Sequence, residues 1–164
     1  MNNELGAKSV AQLEKLLSSE AEGELSDLRI TRVKITKHDL NLLLQALANQ
    51  NDCKLTRLRI SHVVIDEIVL MNSLKRMIDN LPNLRELNLQ NINIHGRQLA
   101  DLMECINDQC KRIYYLNISY NSLPLNKEWL KSFLTHLVEM IKTSSSLIDI
   151  DLSGMNLKEN VKDI

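Results

Sequence analysis

The sequence predicts an α/β chain of about five stacked units, each a strand, a turn and a helix, and three observations carry that expectation. First, one apolar spacing recurs in Leu25, Leu28, Ile30, Val33 and Ile35, then Leu55, Leu58, Ile60, Val63 and Ile65, then Leu84, Leu87, Leu89, Ile92 and Ile94. It continues in Ile113, Leu116, Ile118 and Leu123, and in Leu147, Ile150, Leu152, Met155 and Leu157. The leading positions lie 30, 29, 29 and 34 residues apart, one supersecondary unit per period. Second, apolar residues alternate at the head of each copy, as in Leu87-Asn88-Leu89, which is the period of a short strand with one buried face. Third, a helical pattern follows: Leu40, Leu43, Leu44 and Leu47; Leu74, Met77, Ile78 and Leu81; Leu99, Leu102, Met103 and Ile106; Leu130, Phe133, Leu134, Leu137 and Ile141.

Taken along the chain, residues 7–22 place Val10, Leu13, Leu16 and Leu17 on one helical face and are expected to cap the open core of the first unit. Thr36, with Asp39 three residues on, reads as a helix start, and Asn126 before Glu128 and Trp129 reads as another. Asn80-Leu81-Pro82 stops the second helix, because proline cannot continue it. The fourth unit is about five residues longer than the others. Part of the extra length falls between Leu123 and Trp129, as an inserted loop that projects as a functional feature or, the favoured reading, as a longer turn packed by Leu125 and Trp129. After Leu157 only residues 158–164 remain, too few for another full helix. The last unit is therefore expected to be incomplete, with apolar surface that a continuation of the chain or a contact would hide.

This spacing, over residues 25–157, resembles the leucine-rich repeat family in its long, ribonuclease-inhibitor-like class. The resemblance implies a single domain across 1–164, a leucine-rich repeat solenoid coiled as a curved right-handed α/β superhelix. It places about five parallel strands on the concave side and the helices on the convex side. One departure stands out. The family sets Asn or Cys three residues after the third apolar strand position, and here only Asn121 fits; Val33, Val63, Ile92 and Met155 take its place elsewhere. The internal polar ladder is largely missing, so divergent turns are expected.

If positions one, four and six of each strand face the core, positions three, five and seven face solvent on the concave side. Position three reads Asp27, Arg57, Glu86, Tyr115 and Asp149, and position five reads Arg29, Arg59, Asn88, Asn117 and Asp151. Position seven reads Thr31, Ser61, Gln90, Ser119 and Ser153, with Arg32, His62, Asn91, Tyr120 and Gly154 flanking it. The face runs from basic through neutral to acidic, which suits a bipolar partner. Arginine and tyrosine are enriched at binding hot spots, and all three tyrosines (Tyr114, Tyr115, Tyr120) lie on or beside one strand. The expected partner-binding set is Arg29, Arg57, Arg59, Glu86, Asn88, Tyr115, Asn117, Tyr120, Asp149 and Asp151.

The leading expectation is a protein-interaction module that binds another protein through the concave sheet. One alternative is a structural segment of a larger protein or assembly that contacts through its ends or convex helices. The other is RNA or polyanion binding by Arg29, Arg32, Arg57 and Arg59, against which the acidic far end argues. Lysine plus arginine (20) nearly balances aspartate plus glutamate (21), so global charge selects no partner. Residues 1–20 carry no signal-like or membrane-spanning apolar run, and a cytoplasmic, reducing location is expected, with non-classical or effector secretion left open.

No enzyme, cofactor or metal is expected. Cys105 and Cys110, five apart on a predicted helix, point roughly 140° apart, while Cys53 and Cys110 precede strands and read as packing residues. The four glycines are isolated, Ser144-Ser145-Ser146 reads as a turn, and Asp149 and Asp151 read as surface charges rather than a catalytic pair.

Overall fold

The computed structural model describes residues 3–18, 25–49 and 54–155. Its elements run β1 (Asn3–Glu4), α1 (Ala7–Ser18), β2 (Asp27–Thr31), β3 (Val33–Lys34), α2 (Lys37–Ala48), β4 (Arg57–Ser61) and α3 (Ile68–Asp79). They continue with β5 (Glu86–Asn88), α4 (Arg97–Gln109), β6 (Tyr115–Asn117), α5 (Lys127–Thr143) and β7 (Asp149–Asp151). A five-stranded sheet has the order β2-β4-β5-β6-β7, with every neighbouring pair parallel, and β1 pairs with β3 beside it.

The register follows the apolar spacing. Leu28 pairs with Leu58, Leu58 with Leu87, Leu87 with Leu116 and Leu116 with Ile150, so the position-four residues form one row across the sheet. A slip of one residue would turn that row to the opposite face, so burial of these side chains fixes the alignment. They join a single core with Leu40, Leu43, Leu44, Leu74, Met77, Leu99, Leu102, Phe133 and Leu137 of the helices. Each helix packs on the next, α1 on α2 through to α4 on α5. Helix α1 contributes buried Val10 and half-buried Leu13; residues 19–22 and the side chains of Leu16 and Leu17 lie outside the described residues, as do Cys53 and Leu157.

Local signals act as read. The Thr36 hydroxyl donates to the Asp39 carboxylate (2.7 Å) and accepts from the Asp39 amide (3.1 Å), a reciprocal cap on α2. Asn126 Oδ1 accepts from the amides of Glu128 and Trp129 at the start of α5. Helix α3 ends at Asp79, before Pro82.

Turn geometry, by contrast, is conserved where divergence was expected. The residue after position seven has a positive φ in all five copies: Arg32 (51°), His62 (56°), Asn91 (50°), Tyr120 (57°) and Gly154 (71°). The amides of Arg32, His62, Asn91 and Tyr120 donate in turn to the carbonyls of Ser61, Gln90, Ser119 and Ser153 in the next copy. This backbone ladder takes over the role of the missing side-chain ladder, with Val63, Ile92 and Met155 buried as apolar filler. Only Asn121 keeps the polar version: its Nδ2 donates to the carbonyls of Leu89 (2.8 Å) and Ile118 (2.9 Å), and its Oδ1 accepts from the amides of Ile92 and Ile94.

Two readings of the fourth unit need correction. Ile141 is 54% exposed, and Met140 holds the buried position in its place. The reason lies in the neighbours. Among the described residues no helix follows α5, and Val138 and Ile141 are exposed, whereas their counterparts Ile78 and Leu81, and Asn107 and Cys110, are buried in units that another helix follows. Leu125 was expected to pack the longer turn, but it is 90% exposed.

Candidate interaction face of the sheet

Because the helices and the core occupy one side of the sheet, positions three and five share the other. The register sets Asp27, Arg57, Glu86, Tyr115 and Asp149 in one row and Arg29, Arg59, Asn88, Asn117 and Asp151 in the next. Adjacent strands stand ~4.8 Å apart, so each row spans about 19 Å. Nine of the ten partner-binding candidates therefore lie on one continuous surface; Tyr120 sits at its edge, in the turn after β6.

The rows are not uniformly free. Arg29, Arg57 and Asp149 are exposed and Asp27, Arg59, Glu86, Tyr115 and Asp151 half-buried, but Asn88, Asn117, Ser61 and Ser119 are buried. Short polar side chains in an in-register row are shielded by longer neighbours on both flanks, a consequence the alternation rule omits. They also serve the backbone: Asn88 Oδ1 accepts from the Gln90 amide (3.1 Å), and Asn117 Oδ1 accepts from the amide (3.0 Å) and hydroxyl (2.7 Å) of Ser119. Asn88 and Asn117 thus hold the strand ends in shape and offer little surface to a partner.

Electrostatics divide the face. At the β2–β4 end, Asp27 accepts from Arg29 (2.8 Å) and from Arg57 (3.1 Å). Its carboxyl is held below the ordinary 3.8 chiefly by the Arg29 hydrogen bond. In the middle the Tyr114 hydroxyl donates to Glu86, which raises the phenol above its ordinary value. At the β7 end Asn117 Nδ2 donates to Asp151 (3.0 Å) and to the Tyr115 hydroxyl (3.2 Å), tying β6 to β7. Hydrogen bonds from Ser153 lower the Asp151 carboxyl.

Tyr120 is fixed as well. A Cβ on Gly154 would lie 2.7 Å from its ring, so the ring packs directly against the glycine while Tyr120 remains 58% exposed. Glycine is required there twice over, by this close approach and by φ of 71°. Tyr120 also walls a hollow of about 680 Å³ with Trp129, Leu123, Leu125 and Met155, which sequence reasoning missed. The exposed apolar residues in the long fourth turn were its one available signal. Its lining runs to Met155, the last described residue.

The thiols take a packing role. Cys105 and Cys110 are buried, and Cys105 Sγ contacts the Asp79 carboxylate at 3.3 Å. Burial pushes both thiols up, Cys110 to about 12, which favours the protonated form at neutral pH. Among the described residues no group of three or more His, Cys, Asp or Glu side chains could hold a metal ion, and no helix is long and apolar enough to cross a membrane.

No family model matches the chain, and no curated protein sequence does. Among solved structures it is similar to the tropomodulin C-terminal domain of Caenorhabditis elegans, with a TM-score of 0.69 and 19% identity, over 91% of this chain and 85% of that one. What the two share is a leucine-rich-repeat-like fold, which in this chain sets helices behind a parallel sheet of five strands.

Proposed function

We propose that this chain is a non-catalytic protein-interaction module of the leucine-rich repeat type that takes a partner protein on the open face of its sheet. In this reading the five repeats span 25–157, α1 is the N-terminal cap, and the sheet curves so that the open face is concave. One observation carries it: parallel register gathers Arg29, Arg57, Arg59, Glu86, Tyr115, Asp149 and Asp151 from five strands onto one surface. Side chains tethered to one another, such as Tyr115 to Asn117, lose little freedom on binding, which favours affinity. A reducing, cytoplasmic setting suits the buried thiols.

Affinity capture with the wild type beside a Tyr115→Ala, Arg59→Ala double variant tests the reading. Hot-spot truncation costs ~2 kcal/mol or more, so affinity should fall at least about thirtyfold, with thermal unfolding little changed. A partner retained equally by both would defeat it.

A second reading has its own observation. Val138, Ile141 and Ile148 are exposed at the last unit, and among the described residues β7 pairs on one side only. A segment of a larger assembly would contact there, and Val138→Lys with Ile141→Lys would then abolish capture while the Tyr115 and Arg59 changes left it intact.

A further inference from the structure

Three arginines meet two carboxylates at the β2–β4 end of the open face, and the pairing does not come out even. Asp27 accepts from both Arg29 and Arg57, and Glu86 accepts from Tyr114. The Arg59 side chain has no ion pair or hydrogen bond among the described residues. It is half-buried, and its cross-strand neighbours in the row are Arg29, a like charge, and Asn88. Like charges directly opposite on adjacent strands disfavour each other. Arg59 lines a small open crevice of about 10 Å³ together with Asp27, Arg29, Arg57, Glu86 and Tyr115.

We infer that Arg59 is the anchor for an aspartate or glutamate side chain of an acidic segment in the partner protein. This rests on the open-face reading and specifies its chemistry. A guanidinium offers a planar fork of donors that a carboxylate fills bidentately, and because Arg59 is half-buried the pair formed at the mouth of the crevice is screened less than one on open surface. Binding would also relieve the Arg29–Arg59 juxtaposition. A peptide carboxylate fits better than a nucleic-acid backbone because the surface turns acidic at Asp149 and Asp151, three strands or ~14 Å from Arg59. A long polyanion would run into those carboxylates, whereas a short acidic run followed by a basic residue matches both ends.

The test is a random peptide library displayed on phage and panned against the full chain. Wild type should enrich aspartate and glutamate, and the selected peptides should bind Arg59→Glu and Arg59→Gln at least tenfold more weakly, both variants keeping the wild-type circular dichroism. Peptides that lack acidic enrichment but are lost on Tyr115→Ala would overturn the anchor and leave the open-face reading standing. Peptides indifferent to both positions, or no selected peptide at all, would overturn both. A single-stranded oligouridine that binds the wild type more tightly than any selected peptide, with a steep loss on added salt, would overturn the carboxylate in favour of nucleic acid.

Discussion

Asn121→Ala is expected to destabilise the fold by about 3 kcal/mol or more, out of proportion to the few atoms removed. The side chain is 3% exposed and serves five buried backbone groups, the carbonyls of Leu89, Ile118 and, at 3.4 Å, Ser119, and the amides of Ile92 and Ile94. Each buried group left without a partner costs ~1–3 kcal/mol, and water entering the space would recover part of that. Asn121→Asp should be harmful too, since it keeps the acceptor but loses both donors. Urea unfolding of the three chains checks the order. A loss under about 1 kcal/mol for Asn121→Ala would mean that the neighbouring turns relax onto other partners.

Phe133→Ala should cost ~3–5 kcal/mol, the range for removing a fully buried aromatic ring. Phe133 is the chain's one phenylalanine, is 0% exposed, and lies on α5 in the same core as the sheet row. Ile141→Ala, on the same predicted helical face, should change stability by well under 1 kcal/mol, because 54% of that side chain is already in solvent. Thermal unfolding of the pair separates a residue buried by its own unit from one that would be buried only by a following unit. Equal losses would show that Ile141 is covered in solution.

That contrast marks how far residues alone could be read. The strand row from Leu28 to Ile150 was legible because a half-buried strand has a strict period of two and the copies recur at nearly constant spacing. Caps at Thr36 and Asn126 were legible because a side-chain oxygen three residues before an apolar run has little else to do. The turns were not. Val63 and Ile92 gave no hint that the backbone itself repeats a left-handed residue in every copy, and two of those five residues, Arg32 and Tyr120, are types that seldom adopt it. Nor was the burial of Asn88 and Asn117 legible, since alternation assigns a face but says nothing about how tall the neighbours in a row are. Arg59 was on the expected surface, but only the pairing of Arg29 and Arg57 with Asp27 sets it apart from the other two.

Backbone amide shifts of the isotopically labelled chain, titrated with a captured partner or a selected peptide, bear most directly on where recognition occurs. Contact through the open face predicts the largest shifts in Arg57–Ser61, Glu86–Asn88 and Tyr115–Asn117, all of which front that surface. Shifts confined to α5 and the outer edge of β7, with Arg59 and Tyr115 unmoved, would contradict it.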